Sequence, residues 1–337
     1  MANQIDTDAK VIAGDNYGFG HPAICRLSNT VMLAAHINQS DELEIHKSID
    51  NGLNWTLKKS LPNASGCFNF VVINPSRAAI VYQKNNNEFE VWVDYGDAGE
   101  NWSNKLDLTT GILSNNKALL LYDSNLGRLH IIWQGTSYFY GKYSDNNGVD
   151  WTIWTSSSLS DNLADVDINL SNNYIYVSHF YGATTNNYYY WYDSFGTYKG
   201  NTGNLGTAGN TYYDKNLAID SAGNRYFAYV RNNTSGGYEK LEIHRNEGSA
   251  TILFYPGVGV PIIVKGSTSI GIDEDDNVYV YYTKTSDEKT YYRKYDAGTA
   301  TWEAEVELIA DANVRINTEK HVLAGSNKLH FCYYKQP

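Results

Sequence analysis

An all-β fold, a seven-bladed β-propeller with six blades as the alternative, is predicted by two recurrences and by the lack of any long helical period. The first recurrence is a short strand, a polar turn and a second strand. It runs Ala23 to Leu27 with Val31 to His36, Phe70 to Ile73 with Ala78 to Gln83, and Ala118 to Tyr122 with Leu129 to Gln134. It continues as Val166 to Leu170 with Tyr174 to His179, then Leu217 to Asp220 with Arg225 to Val230. The last two pairs are Ile270 to Asp273 with Val278 to Thr283, and His321 to Ala324 with Leu329 to Tyr334. The second strands begin about 45 to 53 residues apart, within the range of propeller blades. No linker divides the 337 residues, so a single domain over 1–337 is expected.

The second recurrence is a turn, S-x-D-x-G-x-x-W, first met as Ser48-Ile49-Asp50-Asn51-Gly52-Leu53-Asn54-Trp55. Each position has a physical task at a hairpin tip. The Asp50 carboxylate accepts backbone N–H groups of its own turn, Gly52 supplies a positive φ, and Trp55 folds back to bury a large ring. Copies place Asp97, Gly99 and Trp102, then Asn146, Gly148 and Trp151, in the same roles. A stretched copy carries Asp296, Gly298 and Trp302, and degenerate turns fall at Tyr192 to Gly196 and Arg245 to Gly248.

These turns resemble the Asp-box, or bacterial neuraminidase repeat, of sialidase-like β-propellers. The resemblance implies strands in the order a, b, c, d from the axis outward, with the box joining c to d. It implies a structural role for the box residues and leaves the activity open. The last repeat stops after its b strand, so Lys10 to Ala13 is expected to supply an outer strand and close the ring.

Bulk composition narrows the partners. A net charge of −11 argues against nucleic acid or an anionic membrane as the main partner. The 29 tyrosines suit half-exposed strands and sugar-stacking surfaces. Cys25, Cys67 and Cys332 lack metal-ligand spacing and read as buried thiols. Met1 to Asp8 has no basic segment followed by an apolar run, so secretion by the usual route is not expected.

Ligands of such wheels are expected at the mouth formed by the b–c and d–a connections, again by resemblance. The polar b-strand ends His36, Gln83, Gln134, His179, Arg231, Lys284 and Lys335 would ring it. His21, Asn69, Lys117, Asp165, Lys215 and Lys320 stand at the starts of a strands. Tyr17, Phe19, Tyr181, Tyr212 and Tyr213 are the nearby rings, which together with hydrogen-bonding groups are what a sugar needs. The run Tyr188 to Tyr192 reads as strand c of the fourth repeat, with a sugar platform as the alternative.

Phe19-Gly20-His21-Pro22 resembles the region where sialidases carry an aromatic-Arg-Ile-Pro motif, whose Arg is one of three that clamp the substrate carboxylate. Here Gly20 holds that position, which disfavours sialidase activity. The reading is a non-catalytic glycan- or receptor-binding propeller, a lectin-like virion component such as a phage appendage, with a cell-surface glycan or other virion proteins as partners. One alternative is a polysaccharide lyase or glycoside hydrolase using His21, His179, Tyr181 and Arg231 as base, acid and carboxylate partner. The other is a protein-interaction scaffold, whose signature would be exposed apolar residues on the a–b turn face or the outer strands. No cofactor or metal is expected. The one alternative is calcium at the acidic turn Asp273-Glu274-Asp275-Asp276-Asn277, which lacks the full EF-hand spacing. If Lys10 to Ala13 closes the ring, deleting the first dozen residues lowers the melting temperature of the whole chain in a single transition.

Overall fold

The computed structural model describes residues 23–108, 117–135, 139–154, 162–180, 189–201, 210–233, 238–245, 251–254, 268–273, 275–284, 287, 289–309, 314–316, 322–324, 328–330 and 333–335. Every regular element among them is a β-strand. The first sheet comprises β1 (Ala23–Arg26), β2 (Met32–Ile37), β3 (Leu43–Ser48) and β4 (Thr56–Leu61). The second holds β5 (Ala64–Asn74), β6 (Arg77–Lys84), β7 (Phe89–Asp94) and β8 (Trp102–Leu108). The third holds β9 (Ala118–Asp123), β10 (Arg128–Gln134), β11 (Phe139–Ser144) and β12 (Thr152–Ile153). In the fourth are β13 (Asn162–Asn169), β14 (Tyr174–Phe180), β15 (Tyr189–Tyr192) and β16 (Tyr198–Asn201). In the fifth are β17 (Asn210–Ile219), β18 (Arg225–Asn233), β19 (Tyr238–Arg245) and β20 (Thr251–Phe254). The sixth joins β21 (Ser269–Ile272), β22 (Val278–Thr283), β23 (Thr290–Asp296) and β24 (Thr301–Trp302), with β25 (Val306–Ile309) also on β23. Two short pairs follow: β26 (Val314–Ile316) with β29 (Tyr333–Lys335), and β27 (Val322–Ala324) with β28 (Lys328–His330).

All pairings are antiparallel and each four-stranded sheet is a meander in chain order. First strands lie against one another in succession: β1 with β5, β5 with β9, β9 with β13, β13 with β17, and β17 with β21. β27 lies against both β21 and β1. Lys10 to Ala13 and Gly20 fall outside the described residues.

Second strands are buried on both faces, which is why they read as unbroken apolar runs. Leu33, Ala35 and Ile37 of β2 meet Ala78, Ile80 and Tyr82 of β6. Ala79 and Val81 of β6 then turn the other way, to Leu129, Ile131 and Trp133 of β10. The same alternation carries Ala228 and Val230 of β18 to Val278, Val280 and Tyr282 of β22. Fourth strands are largely solvated, as in β4 and β12. Cys25 is buried and forms no disulfide, whereas the Cys67 side chain and Cys332 lie outside the described residues.

Side chains of first strands cap the backbone of the next first strand. Leu120 N–H donates to Asn69 Oδ1 at 2.9 Å, and Asn69 Nδ2 donates to the Leu120 carbonyl at 3.3 Å. Leu217 N–H donates to Asp165 at 2.8 Å, Ile219 N–H to Asp167 at 3.1 Å, and Asn216 Nδ2 to the Thr268 carbonyl at 2.9 Å. A first strand has a partner strand on one side only, so these bonds satisfy groups that its other edge would leave open.

The box turns are held as their residue types demand. In the first, Gly52 N–H donates to Ser48 Oγ at 2.8 Å, Asn54 N–H to Asp50 Oδ1 at 2.8 Å, and Trp55 Nε1 to the Gly52 carbonyl at 2.9 Å. In the second, Tyr95 stands at the serine position and Asp94, one residue earlier, receives Gly96 and Gly99 N–H at 2.7 and 2.9 Å. Gly52, Gly99 and Gly148 have φ of 86°, 89° and 86°, each preceded by a second left-handed residue, Asn51, Ala98 or Asn147. The stretched copy departs from this: Ala300, not Gly298, takes the left-handed conformation there, and Thr299 N–H donates to Asp296 at 2.8 Å. The extra residue moves the tight point of the turn along the chain.

Across each of the first three boxes runs an amide–carboxylate pair four residues apart. Asn54 Nδ2 donates to Asp50 at 2.6 Å and Asn101 Nδ2 to Asp97 at 2.5 Å, whereas Asn146 Nδ2 donates to Asp150 at 2.8 Å. The third box has exchanged the two members and kept the bond. The Asn54 amide and backbone bonds hold the Asp50 carboxyl down at about 2. Asn54→Asp therefore opposes two carboxylates and lowers the melting temperature at pH 7, and adding Asp50→Asn restores it by copying the third box. The depressed carboxyl pKa means the Asp50 bonds help above the unfolded value of 3.8 and are lost as pH falls toward 2. The deficit of Asn54→Asp consequently shrinks in melts run through that acid window.

Candidate functional site

The hairpins between second and third strands gather at one end of the sheets, opposite the box turns. Five sheets present a cross-strand pair on the same face, one ladder step inside this end in four of them and deeper in the fifth. His36 faces Glu44, Tyr82 faces Glu90, Trp133 faces Tyr140, Tyr229 faces Glu242 and Tyr282 faces Tyr291. In sheets two, three and six this face meets the preceding sheet.

In three sheets the third strand adds an aromatic two residues after the glutamate, on the same strand face, and in the second sheet it closes a clasp on the carboxylate. Tyr82 Oη and Trp92 Nε1 both donate to Glu90 Oε2, at 2.8 and 2.9 Å, and Lys84 Nζ lies 3.0 Å from Oε1. His46 Nε2 lies 3.2 Å and His36 Nε2 3.5 Å from Glu44 Oε2, while Asn38 Nδ2 donates to Oε1 at 2.8 Å. In the fifth sheet Tyr229 Oη bonds His244 Nε2, which lies 3.6 Å from Glu242. Sheet six reaches a related arrangement from the connection between β24 and β25: Glu305 accepts from Tyr282 Oη and Lys284 Nζ, and that ammonium sits 4.1 Å over the Tyr291 ring.

Burial and partners set the charge states. Burial alone would raise the Glu90 carboxyl, but the Trp92, Lys84 and Tyr82 donors outweigh it and hold it below the ordinary range. Burial first, then the hydrogen bond to Glu90, drives the Tyr82 phenol well above its usual value. At His36, burial and the neighbouring His46 lower the imidazole pKa against the pull of Glu44.

Two of the predicted mouth residues, His36 and Gln83, do not occupy equivalent positions. His36 is 7% exposed and lies on the face turned away from the second sheet, whereas Gln83, 4% exposed, shares its parity with Ala79 and Val81 on the opposite face of its own sheet. Gln134 is half-buried next to Trp133. Asp165 and Asn69 are buried and occupied with the backbone caps described above. His21, Tyr17, Phe19, Tyr181 and Lys320 lie outside the described residues. So do the side chains of His179, Tyr212, Tyr213, Lys215, Arg231 and Lys335. Tyr189 and Tyr192 of the tyrosine run pack in the core. Arg77, Arg128 and Arg225 sit at a–b turns; Arg128 pairs with both oxygens of Asp145 at 2.6 and 3.1 Å and donates to the Ser194 carbonyl.

At the acidic turn, Asp273 accepts from Asp275 N–H, Asn277 N–H, Asn277 Nδ2 and Tyr279 Oη, at 2.8 to 3.1 Å. Asp220, Asn224 and Tyr226 repeat this device one sheet earlier. Asp276 accepts from the Ser221 N–H and hydroxyl. Among the described residues, the group of side chains spaced for a cation is instead His36, Glu44 and His46.

The clasp was readable as a sequence repeat: Leu43-Glu44-Ile45-His46, Phe89-Glu90-Val91-Trp92 and Leu241-Glu242-Ile243-His244. Each is a glutamate and an aromatic on one strand face with apolar residues on the other.

No family model matches the chain, and no curated protein matches it in sequence. Solved structures do. The GH74 xyloglucanase from Xanthomonas campestris superposes with a TM-score of 0.58 at 10% identity, over 88% of this chain and 48% of that one. The chain thus spans about half the length of that enzyme. Saccharomyces cerevisiae Sqt1 gives 0.57 at 10% identity, covering 92% and 79%, and a triple arginine mutant of AofleA from Arthrobotrys oligospora gives 0.52 at 10%, covering 87% of each. At such identities the likeness concerns the fold alone.
The fold is propeller-like.

The clasp around Glu90 makes a prediction. Its carboxyl is depressed in the folded state, so the clasp stabilises above the unfolded value of 4.5 and weakens as pH falls below it. Glu90→Gln should cost about 1 to 3 kcal/mol at pH 7 in urea denaturation, by loss of charge-assisted bonds. The difference from wild type should narrow at pH 3.

Proposed function

We propose that the protein is a non-catalytic glycan-binding β-propeller of seven blades, with box turns of the Asp-box kind and a ligand site at the b–c end. The six sheets are six blades and β26 to β29 form the inner part of the seventh. The contacts of β27 with both β21 and β1 support a closed ring, to which Lys10 to Ala13 would add an outer strand.

The observation that carries the glycan reading is the Trp133–Tyr140 pair. Their rings stack at 5.6 Å with planes 24° apart, Trp133 is fixed in the core, and Tyr140 is 36% exposed. An aromatic face anchored from beneath suits the apolar face of a sugar. The non-catalytic part is supported by the Tyr229–His244–Glu242 set, an acid–base grouping whose members are all buried. The ligand class is a cell-surface glycan or polysaccharide, in keeping with the net charge of −11, which disfavours nucleic acid.

One observation favours a second reading, a protein-interaction scaffold. Exposed apolar residues concentrate at the opposite end: Ile49, Leu53, Tyr95, Val149 and Phe195 on c–d turns, with Leu126 and Leu170 on a–b turns. Ile49, at 70%, is nearly bare.

A broad glycan array followed by incubation of the hits separates the readings. The glycan reading expects binding without product, weakened at least tenfold by Tyr140→Ala, about 1.4 kcal/mol, with the melting temperature unchanged. It also expects Ile49→Ser with Val149→Ser to bind glycan as wild type does. Failure of the wild type to retain any glycan overturns it, and an unsaturated sugar product replaces it with a lyase.

A further inference from the structure

The three clasps share one backbone frame and differ in what fills it. In the second sheet the frame holds Tyr82, Glu90 and Trp92, and in the fifth Tyr229, Glu242 and His244. Only in the first is every member a histidine or a carboxylate: His36, Glu44 and His46. Holding a carboxylate needs one donor hydrogen from each neighbour, and Tyr82 with Trp92 shows that a phenol and an indole suffice. Two imidazoles add a capability the others lack, a lone pair on each ring that can face a cation.

Two of the three donor spacings are those of a coordination site. A tetrahedral ion with bonds of about 2.0 to 2.1 Å keeps its donor atoms about 3.3 Å apart. Glu44 Oε2 stands 3.2 Å from His46 Nε2 and 3.5 Å from His36 Nε2, and the three donors lie within 4.8 Å of one another. The far carboxylate oxygen is held by the Asn38 amide at 2.8 Å, and Asn38 Oδ1 in turn receives Glu42 N–H at 3.0 Å. That is the outer support ligating carboxylates commonly have. Both rings are buried and stacked at 5.1 Å, so the donors are already ordered.

We propose that His36, Glu44 and His46 bind a divalent transition-metal ion of the zinc class. Two nitrogens and one carboxylate suit zinc, cobalt or nickel, whereas calcium and magnesium call for an oxygen shell. The ion would join the second and third strands of the first sheet at the b–c end. The proposal is independent of what the wheel binds.

The test titrates the full chain, freed of metal by chelation and dialysis, with Zn2+ by calorimetry and with Co2+ by visible absorption. One ion per chain is expected, with the d–d bands of low-symmetry Co2+ and a melting temperature raised by Zn2+. Glu44→Gln should weaken Zn2+ binding at least tenfold. The deciding variant is His36→Tyr with His46→Trp, which rebuilds the clasp of the second sheet. It should melt as the metal-free wild type does, take up no Zn2+, and gain no stability from it. Absence of Zn2+ uptake by the wild type overturns the proposal. Wild-type affinity in the double variant also overturns it, as does equal competition by Ca2+.

Discussion

The architecture depends on strands that are buried on both faces. β2, β6, β10, β18 and β22 have no solvent side, so each must satisfy two neighbours at once, with alternate residues assigned to each. Parity along the strand therefore decides which sheet a side chain meets. A shift of one residue would exchange the contents of two interfaces, which ties every sheet to the next in a fixed register.

That constraint explains what could be read in the sequence. Runs such as Ala78 to Tyr82 and Leu129 to Trp133 announce themselves because double burial leaves no polar alternation, and their spacing gives the repeat. The box turns are legible since left-handed backbone and a folded-back tryptophan call for specific residues at Gly52, Trp55 and their copies. Site residues were harder. Aligning strand ends by sequence set His36 beside Gln83, although register makes Tyr82 its counterpart. Polar residues inside first strands looked available for ligand, but Asn69 and Asp165 are engaged with neighbouring backbone. Their role depends on a strand far away in the chain, which local pattern does not contain.

Beneath the sequence differences lies one reusable frame. A glutamate on the third strand, opposed by an aromatic and followed two residues later by another, recurs in sheets one, two and five, while sheet three replaces the carboxylate with Tyr140 and exposes a ring. The backbone offers the same pocket each time. Small exchanges of side chain turn it from a closed polar clasp into a stacking surface or a set of nitrogen and oxygen donors, without disturbing the apolar face behind it.

The caps between first strands all point one way. Asn69 serves the sheet that follows its own, and so do Asp165, Asp167 and Asn216. A polypeptide leaving the ribosome makes the giver before the receiver. At these three junctions the newly made first strand thus meets waiting acceptors and donors as it emerges, and the growing end presents a spare amide or carboxylate in place of bare, adhesive backbone.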